Sequence, residues 1–257
     1  MDRKDYANNL LEEELSVMAG QWGTIGPRML QAENELATLC GSEKGLLCSS
    51  GGAAYEVALR TVCKGHGSRV MMHTLCVPRD ALIPSALGFE VLFCKKADKD
   101  QMDKALKKEK PDVFVCDAAD TRLSLEETAS VCRRNGVALI LNAEGALRRK
   151  KSLTAIADFV VYDLSKDSEV DAFGAGLLCT DSQPLFETAF AVHNCGRSFG
   201  DGCTLSFDDF VGGDFRVSEW NAGAALSVLK TNHFGWVHLS APVDMSAQPL
   251  FAKNKQV

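Results

Sequence analysis

Lys166 has the most distinctive reactive group in this sequence, because a desolvated lysine amine can form a Schiff base with a carbonyl compound. It lies in the stretch Leu164-Ser165-Lys166-Asp167, just past a run of β-branched and aromatic residues at 159–162 that predicts a strand. A lysine among acidic neighbours such as Asp163 and Glu169 is more often a solvated surface residue. Both interpretations stay open on the sequence alone.

A second candidate site is the run of small residues after the first predicted strand, Ser49-Ser50-Gly51-Gly52-Ala53-Ala54. Glycines followed by the free N–H groups of a helix N-terminus form a cradle for phosphate. Small residues also allow a strand to pack closely against a helix. For this loop taken alone, the packing interpretation is favoured, because short glycine motifs match by chance.

Asn142 and Glu144 follow the predicted strand 137–141 and place one amide and one carboxylate beyond its end. In a parallel sheet the ligand crevice lies outside the carboxyl ends of the strands, so these side chains are candidates for binding a polar ligand. Capping of the next turn explains them equally well.

A serine hydrolase is a competing hypothesis. The stretch Gly196-Arg197-Ser198-Phe199-Gly200 matches G-x-S-x-G, and Asp201 and His233 follow it in the chain order of an α/β-hydrolase triad. That nucleophile has to follow a buried strand, whereas residues 185–194 predict a helix. The context therefore disfavours a nucleophile at Ser198.

The elements that would position these residues alternate between strand and helix, which predicts an α/β fold with a mostly parallel sheet and helices on both faces. We divide the chain into an N-terminal helical segment (1–44), a main domain (45–231) and a divergent tail (232–257). The predicted strands lie at 45–48, 69–73, 90–94, 112–116, 137–141, 159–162 and 177–180, and the helices at 6–19, 28–40, 53–62, 79–87, 100–108, 124–134, 185–193 and 217–230.

Composition narrows the function further. The 257 residues carry a net charge of −6 and are 46% hydrophobic, which is typical of a globular protein without a nucleic-acid footprint. No apolar run approaches a membrane span or a signal core, so we expect a cytoplasmic protein with no membrane partner. Ten scattered cysteines without any C-x-x-C pair predict reduced thiols and no metal site.

Taken in order, these motifs resemble the DegT/DnrJ/EryC1/StrS family of sugar aminotransferases. The likeness extends from about residue 20 to residue 230. It implies the large domain of a fold-type-I pyridoxal phosphate-dependent transferase, without the family's smaller C-terminal domain. The matching stretches are Trp22-Gly23-Thr24-Ile25-Gly26-Pro27, the loop 49–54, Gly88-Phe89-Glu90-Val91, Asn142-Ala143-Glu144, Ser165-Lys166 and Phe215-Arg216-Val217-Ser218-Glu219.

The resemblance implies pyridoxal 5'-phosphate as cofactor, with Lys166 as the catalytic Schiff-base lysine and the phosphate on the N–H groups of Gly52 and Ala53. The implied substrates are a nucleotide-linked keto-sugar and an amino donor such as glutamate. The implied partner is a second copy of the chain or a full-length relative, held through small or apolar residues around Trp220. The implied cofactor-binding residues are Gly51, Gly52, Ala53, Asn142, Glu144, Ser165 and Asp214.

Several matched positions depart from the family pattern. Asn142 replaces the aspartate that protonates the pyridine nitrogen, and an amide cannot hold that proton by charge. Asp214 replaces an asparagine that reaches the phosphate, and a carboxylate repels a dianion. Gly52, Val161 and Val77 stand in place of a threonine, a serine and a ring-stacking aromatic residue. The alternative function is therefore a catalytically degenerate family member that acts as a non-catalytic dimer partner.

Overall fold

The structure is a computed structural model. It describes residues 3–63, 65–94, 98–119, 124–148, 151–166, 168–197, 212–235, 237, 239 and 241–251. Strand and helix alternate along the chain as predicted. The helices are α1 (Arg3–Gly20), α2 (Pro27–Cys40), α3 (Gly51–Val62), α4 (Pro78–Ala86), α5 (Lys99–Glu109), α6 (Leu125–Asn135), α7 (Gln183–His193) and α8 (Glu219–Thr231), and the strands are β1 (Lys44–Cys48), β2 (Arg69–His73), β3 (Leu75–Cys76), β4 (Glu90–Cys94), β5 (Val113–Asp117), β6 (Ala138–Asn142), β7 (Phe159–Leu164), β8 (Ala175–Thr180) and β9 (Val243–Asp244).

The main sheet has seven strands in the order β1-β8-β7-β6-β5-β2-β4. The five neighbouring strands β4, β2, β5, β6 and β7 pair in parallel, and Val70 of β2 stands opposite Val91 of β4 and Val113 of β5. This confirms the mostly parallel sheet. Strand β8 runs antiparallel to both β7 and β1. The carboxyl ends of the parallel strands therefore meet at one edge, which collects the residues after β2, β5, β6 and β7.

Both faces of the sheet are covered, and each face has its own core. Met71 of β2 packs into one core with α2, α5, α6 and α8, while its neighbours Val70 and Met72 pack into the other with α3, α4 and α7. Apolar residues on both faces produce continuous runs in the sequence instead of an alternating pattern. The short apolar runs are therefore a correct signal for these strands.

Helix α8 lies under the N-terminal helices rather than at the surface. Ala222, Ala224 and Ala225 are fully buried, and a Cβ atom on Gly223 would lie 3.3 Å from the Cβ of Glu13 in α1. The expectation of a small-residue association surface around these alanines is therefore wrong, because α1 and α2 cover it. Trp220 alone of that group stays 44% exposed.

Residues 241–251 fold back onto the sheet, although the pattern after residue 232 predicts only a tail. Strand β9 pairs antiparallel with β3, and Phe251 is buried with its ring edge against Phe93 of β4. Two-residue strands leave no periodic signal in a sequence, which explains why β3 and β9 are not predicted.

Within the described ranges, we find no helix with the length and apolarity that a bilayer span requires.

Candidate active site

The loop between β1 and α3 joins a strand to a helix N-terminus, as its small residues predict. Ser50 is extended and caps α3, with its hydroxyl accepting a hydrogen bond from the N–H of Ala53 at 3.0 Å. Strand β8 packs closely against the loop, since a Cβ atom on Gly176 would lie 2.3 Å from the carbonyl oxygen of Ser50. A glycine is therefore required at 176, and the loop is fixed at the sheet edge.

Asp163 lies at the N-terminus of α3. Its Oδ2 would be 2.6 Å from a Cβ atom on Gly51, and its Oδ1 accepts a hydrogen bond from the N–H of Ser165 at 2.8 Å. The positive end of a helix dipole favours a negative group at this place. Here that group is a side chain of the protein, supplied by the end of β7.

Arg79 of α4 reaches across the strand ends and joins them. Its guanidinium donates to Asp163 Oδ2 at 2.8 Å, to Glu144 Oε1 at 3.0 Å and to Asn142 Oδ1 at 3.2 Å. Helix α4 begins at Pro78, a residue suited to the first helical position, so Arg79 leaves from its first turn. We call Arg79, Asp80, Asn142, Glu144 and Asp163 the Arg79 cluster.

Asp80 and Asn142 form the buried floor of the cluster, at 3% and 2% exposure. The Asn142 amide donates to Asp80 Oδ1 at 3.2 Å, while its oxygen accepts from Arg79. Burial raises the pKa of Asp80 to about 7, against the lowering effect of Arg79 and the Asn142 hydrogen bond. An amide suits position 142 because it can donate to the carboxyl and accept from the guanidinium.

Lys166 lies in the turn after β7, three residues beyond Asp163, and its side chain is exposed. Within the part of the chain that the structure describes, its amine makes no hydrogen bond or ion pair. Ser165 contributes its N–H to Asp163, and its hydroxyl donates to the carbonyl of Lys166 at 3.4 Å. The structure therefore brings the 49–54 loop, Asn142 and Glu144 together through Arg79 and Asp163.

Asp214 belongs to a separate surface pair. Its carboxylate accepts two hydrogen bonds from the guanidinium of Arg216, at 2.7 and 2.8 Å, and its side chain is 60% exposed. These bonds lower the pKa of Asp214 below its usual range. The carboxylate of Asp214, which the sequence analysis placed against a phosphate, is thus paired with Arg216.

Arg79 and Asp163 are the functional candidates that the sequence analysis missed. A signal for Arg79 exists, since Val77-Pro78-Arg79-Asp80 puts two charges on the first turn of an otherwise apolar helix beyond a buried strand. Asp163 counted only as an acidic neighbour of Lys166. Because side chains along a strand point to alternate faces, the strand that ends at Leu164 could have assigned Asp163 to one face of the sheet. It could not have shown that Arg79 is the partner of Asp163.

Ser198, Phe199, Gly200 and Asp201 of the predicted hydrolase site lie outside the described residues, whereas His233 stacks on the ring of Tyr6 with centroids 5.0 Å apart. Helix α7 precedes them and ends at His193, so the chain enters this region from a helix. A nucleophile elbow needs a strand there, so the helix disfavours the hydrolase hypothesis.

The sequence profile of the DegT/DnrJ/EryC1/StrS aminotransferase family matches residues 4–234 of this chain. The chain belongs to that family. Among curated proteins, no sequence relative matches it. The match extends from α1 through the end of α8, so both N-terminal helices are part of the family pattern.

Solved structures similar to this DegT/DnrJ/EryC1/StrS member have the same fold. DesI, crystallised with its TDP-sugar product, is 20% identical with a TM-score of 0.73 over 88% of this chain and 58% of its own. PseC of Helicobacter pylori, an aminotransferase of pseudaminic acid biosynthesis, is 20% identical with a TM-score of 0.71 over 90% and 63%. NtdA of Bacillus subtilis, with bound cofactor PMP, is 16% identical with a TM-score of 0.74 over 88% and 53%. This chain thus spans about three fifths of the length of these proteins.

Pyridoxal phosphate is the cofactor of the aminotransferases of this family, and its fit to this member can be judged from the Arg79 cluster. The carboxylates of Glu144 and Asp163 and the buried carboxyl of Asp80 face one guanidinium. A phosphate dianion at the N-terminus of α3 would lie against the carboxylate of Asp163. The residues at the cleft, in this arrangement, do not fit the cofactor.

Proposed function

We propose that this chain is a DegT/DnrJ/EryC1/StrS family member in which the Arg79 cluster takes the place of the cofactor, and that it serves as a non-catalytic subunit of a dimer. The observation that carries the proposal is the position of Asp163 and Arg79. Together they fill the space between the N-terminus of α3 and the amide of Asn142.

Charge complementarity supports this proposal. The guanidinium of Arg79 and the carboxylates of Asp163 and Glu144 satisfy one another at 2.8 and 3.0 Å. An entering phosphate would have to separate these pairs and leave carboxylates without partners, which is costly in a partly buried site. Asn142 reinforces the same arrangement, because its oxygen accepts from Arg79.

The exposed apolar side chains support the subunit role. Leu11, Leu15 and Met18 lie at helical spacing on one edge of α1 and are 55–63% exposed, and Trp22 follows at 55%. An apolar stripe of this length on a folded protein marks an association surface. Its occupant in our proposal is a second copy of the chain or a longer family member.

Pyridoxal phosphate binding tests the cofactor part of the proposal. Purified protein is titrated with the cofactor, treated with borohydride and digested for mass spectrometry, with Lys166→Ala as the control for adducts on surface lysines. We expect no visible absorbance band of a lysine-bound pyridoxal and no fixed adduct on Lys166. A stoichiometric adduct on Lys166 in the wild-type chain would refute the proposal.

A second arm of the experiment tests the reason for the exclusion. Asn142→Asp alone should not gain cofactor, because the new carboxylate would pair with Arg79. The double variant Arg79→Ser/Asp163→Ser clears the N-terminus of α3 and should show phosphate-dependent thermal stabilisation. If the double variant and the wild type respond to phosphate equally, the Arg79 cluster does not control the site.

The second candidate function is the family's aminotransferase reaction on a nucleotide-linked keto-sugar, with an amino donor such as glutamate. Its support is the exposed amine of Lys166, three residues beyond Asp163 and within the stretch 4–234 that the family profile matches. The borohydride experiment distinguishes the two functions, since only this second one requires a fixed adduct on Lys166.

A further inference from the structure

Gly235 and Leu239, which follow α8, lie along the carboxyl edge of the sheet. The N–H of Gly235 donates to the carbonyl of Glu169, which follows β7. Leu239 lies 3.1 Å from the position of a Cβ atom on Gly145, which follows β6. It also lines a cavity of about 300 Å³ with Ala118, beyond β5, and with Glu144 of the Arg79 cluster.

Residues 241–251 continue along this edge and are anchored at two buried side chains. Met245 is 5% exposed and Phe251 is 2% exposed, and both pack into the core that contains Phe93. The N–H of Met245 donates to the carbonyl of Thr74 at 2.9 Å. The segment is therefore held by core packing as well as by its backbone.

The same segment fixes the residues that lead into α4. Val243 of β9 stands opposite Cys76 of β3, and only Val77 separates Cys76 from the first residue of α4. Arg79 and Asp80 lie in the first turn of that helix. Loss of the pairing between β9 and β3 would free the backbone from which both side chains enter the cluster.

We propose that residues 241–251 form a strap that closes this edge of the cleft and holds Arg79 in the cluster. The strap pairs with β3, and β3 leads directly into the first turn of α4. This inference rests on the proposed function where it assigns the Arg79 cluster to the place of the cofactor. The strap itself rests on the pairing and the buried anchors.

Thiol alkylation measures whether the strap is in place. Cys76 is half-buried beside β9, whereas Cys195 is exposed and Cys179 is fully buried. Iodoacetamide labelling of the intact folded chain, followed by peptide mass spectrometry, gives the rate at each of the three. Phe251→Ala removes an anchor and should raise the rate at Cys76 by about tenfold, because local opening becomes more frequent. The rates at Cys195 and Cys179 should not change.

Two further variants control this experiment. Leu250→Ala removes a side chain that is 62% exposed beside the anchor, and it should leave the rate at Cys76 unchanged. Val243→Pro changes no buried side chain and should raise the rate as Phe251→Ala does, since proline breaks a two-residue ladder. If Phe251→Ala unfolds, so that Cys179 becomes labelled as well, the rate at Cys76 in Val243→Pro decides whether the strap covers Cys76.

Modification of Arg79 by phenylglyoxal is the second measurement on the same variants. We expect slow modification in the wild type and a rise in Val243→Pro, with Arg134, whose side chain is 51% exposed, as the reference. Unchanged rates at both Cys76 and Arg79 in folded Val243→Pro would overturn the strap. Cofactor binding by the wild type would instead overturn the proposed function. The labelling rate at Cys76 and the modification rate at Arg79 would still test the strap.

Discussion

Arg79 is one positive charge shared among several acceptors. It donates to Asp163, Glu144 and Asn142, while its Nε is buried without a hydrogen-bond partner among the described residues. Asp80 lies 3.9 Å from that nitrogen and has a raised pKa of about 7. Burial and a surplus of carboxyls together make the guanidinium the residue on which the whole cluster depends.

Replacing Arg79 should therefore destabilise the protein more than replacing an ordinary surface arginine. Arg79→Met leaves Asp163 and Glu144 without their charged partner, and we expect a loss of about 3 kcal/mol in the free energy of unfolding. Arg60→Met, which breaks an i,i+4 pair with Glu56 on the surface of α3, should cost less than about 1 kcal/mol. Urea unfolding at pH 7 measures both. Equal losses would show that the cluster contributes no more than a surface pair.

Glu33 is a second buried carboxyl, and it makes stability depend on pH. It accepts a hydrogen bond from the N–H of Leu47, but burial raises its pKa from 4.5 to about 8. Between these values the unfolded chain releases the proton and the folded chain keeps it. The free energy of unfolding should therefore fall as pH rises, by up to about 1.4 kcal/mol for each pH unit.

The variant Glu33→Gln tests this dependence. An amide does not ionise, and its oxygen can still accept from Leu47, so stability should decline less between pH 5 and pH 8 than in the wild type. The comparison variant is Glu35→Gln, on the same helix but only half-buried, which should keep the wild-type slope. Parallel slopes for wild type and Glu33→Gln would mean that Glu33 is ionised in the folded state throughout.

Several site residues could be predicted from the sequence and others could not. The Ser50 cap and the position of Asn142 at a strand end follow from local patterns, and the structure has both. The contact of Asp163 with Gly51 joins residues far apart in the chain, and no local pattern encodes it. That Asn142 is unsuited to a pyridine nitrogen stays a prediction, and its partners in the structure, Arg79 and Asp80, are not visible in the local sequence.

Among the elements, α2 and α8 are joined by one carboxylate. Glu219 is 1% exposed and accepts hydrogen bonds from the N–H groups of Gly26, Arg28 and Met29 at 2.9–3.0 Å. A Cβ atom on Gly26 would lie 2.7 Å from this carboxylate, so the glycine is required by the close approach. Two motifs that are 190 residues or more apart, around Gly26 and Glu219, are thus halves of one helix cap.

The neutral variant Glu219→Gln should weaken this cap. Only one oxygen remains to accept from the first turn of α2, and the new NH₂ group faces backbone donors. We expect a loss of about 2 kcal/mol in the free energy of unfolding. Glu187→Gln on the exposed face of α7 is the matched substitution and should change stability by less than about 0.5 kcal/mol. A result for Glu219→Gln within that smaller range would show that the cap does not need the charge.

The elements that the sequence predicts best are those with long patterns and clear caps. Helix α6 begins after Ser124, whose hydroxyl accepts from the N–H of Glu127 as its sequence suggests. The antiparallel direction of β8 is not visible in its composition, because all six of its residues are buried on both faces. Direction depends on the connections around a strand, and those connections are set by tertiary packing.

At the scale of the whole molecule, two features of the described surface bear on the proposed function. One is the cleft edge closed by the Arg79 cluster and the strap. The other is the apolar stripe of Leu11, Leu15 and Met18 on α1, whose opposite edge packs on α8. A subunit whose own cleft is filled can still contribute to an assembly through such a stripe, so the two features support one function.

Self-association through α1 should therefore be measurable and should depend on Leu15. Sedimentation velocity over a wide concentration range is expected to show a wild-type dimer. Leu15→Lys should weaken it by about 100-fold, because a two-fold interface contains each substitution twice and a charge is poorly tolerated at its centre. Leu250→Lys, at a similarly exposed leucine outside α1, should leave the dimer intact. A wild-type monomer at every concentration, or a dimer indifferent to Leu15→Lys, would mean that the stripe is not where copies of the chain meet.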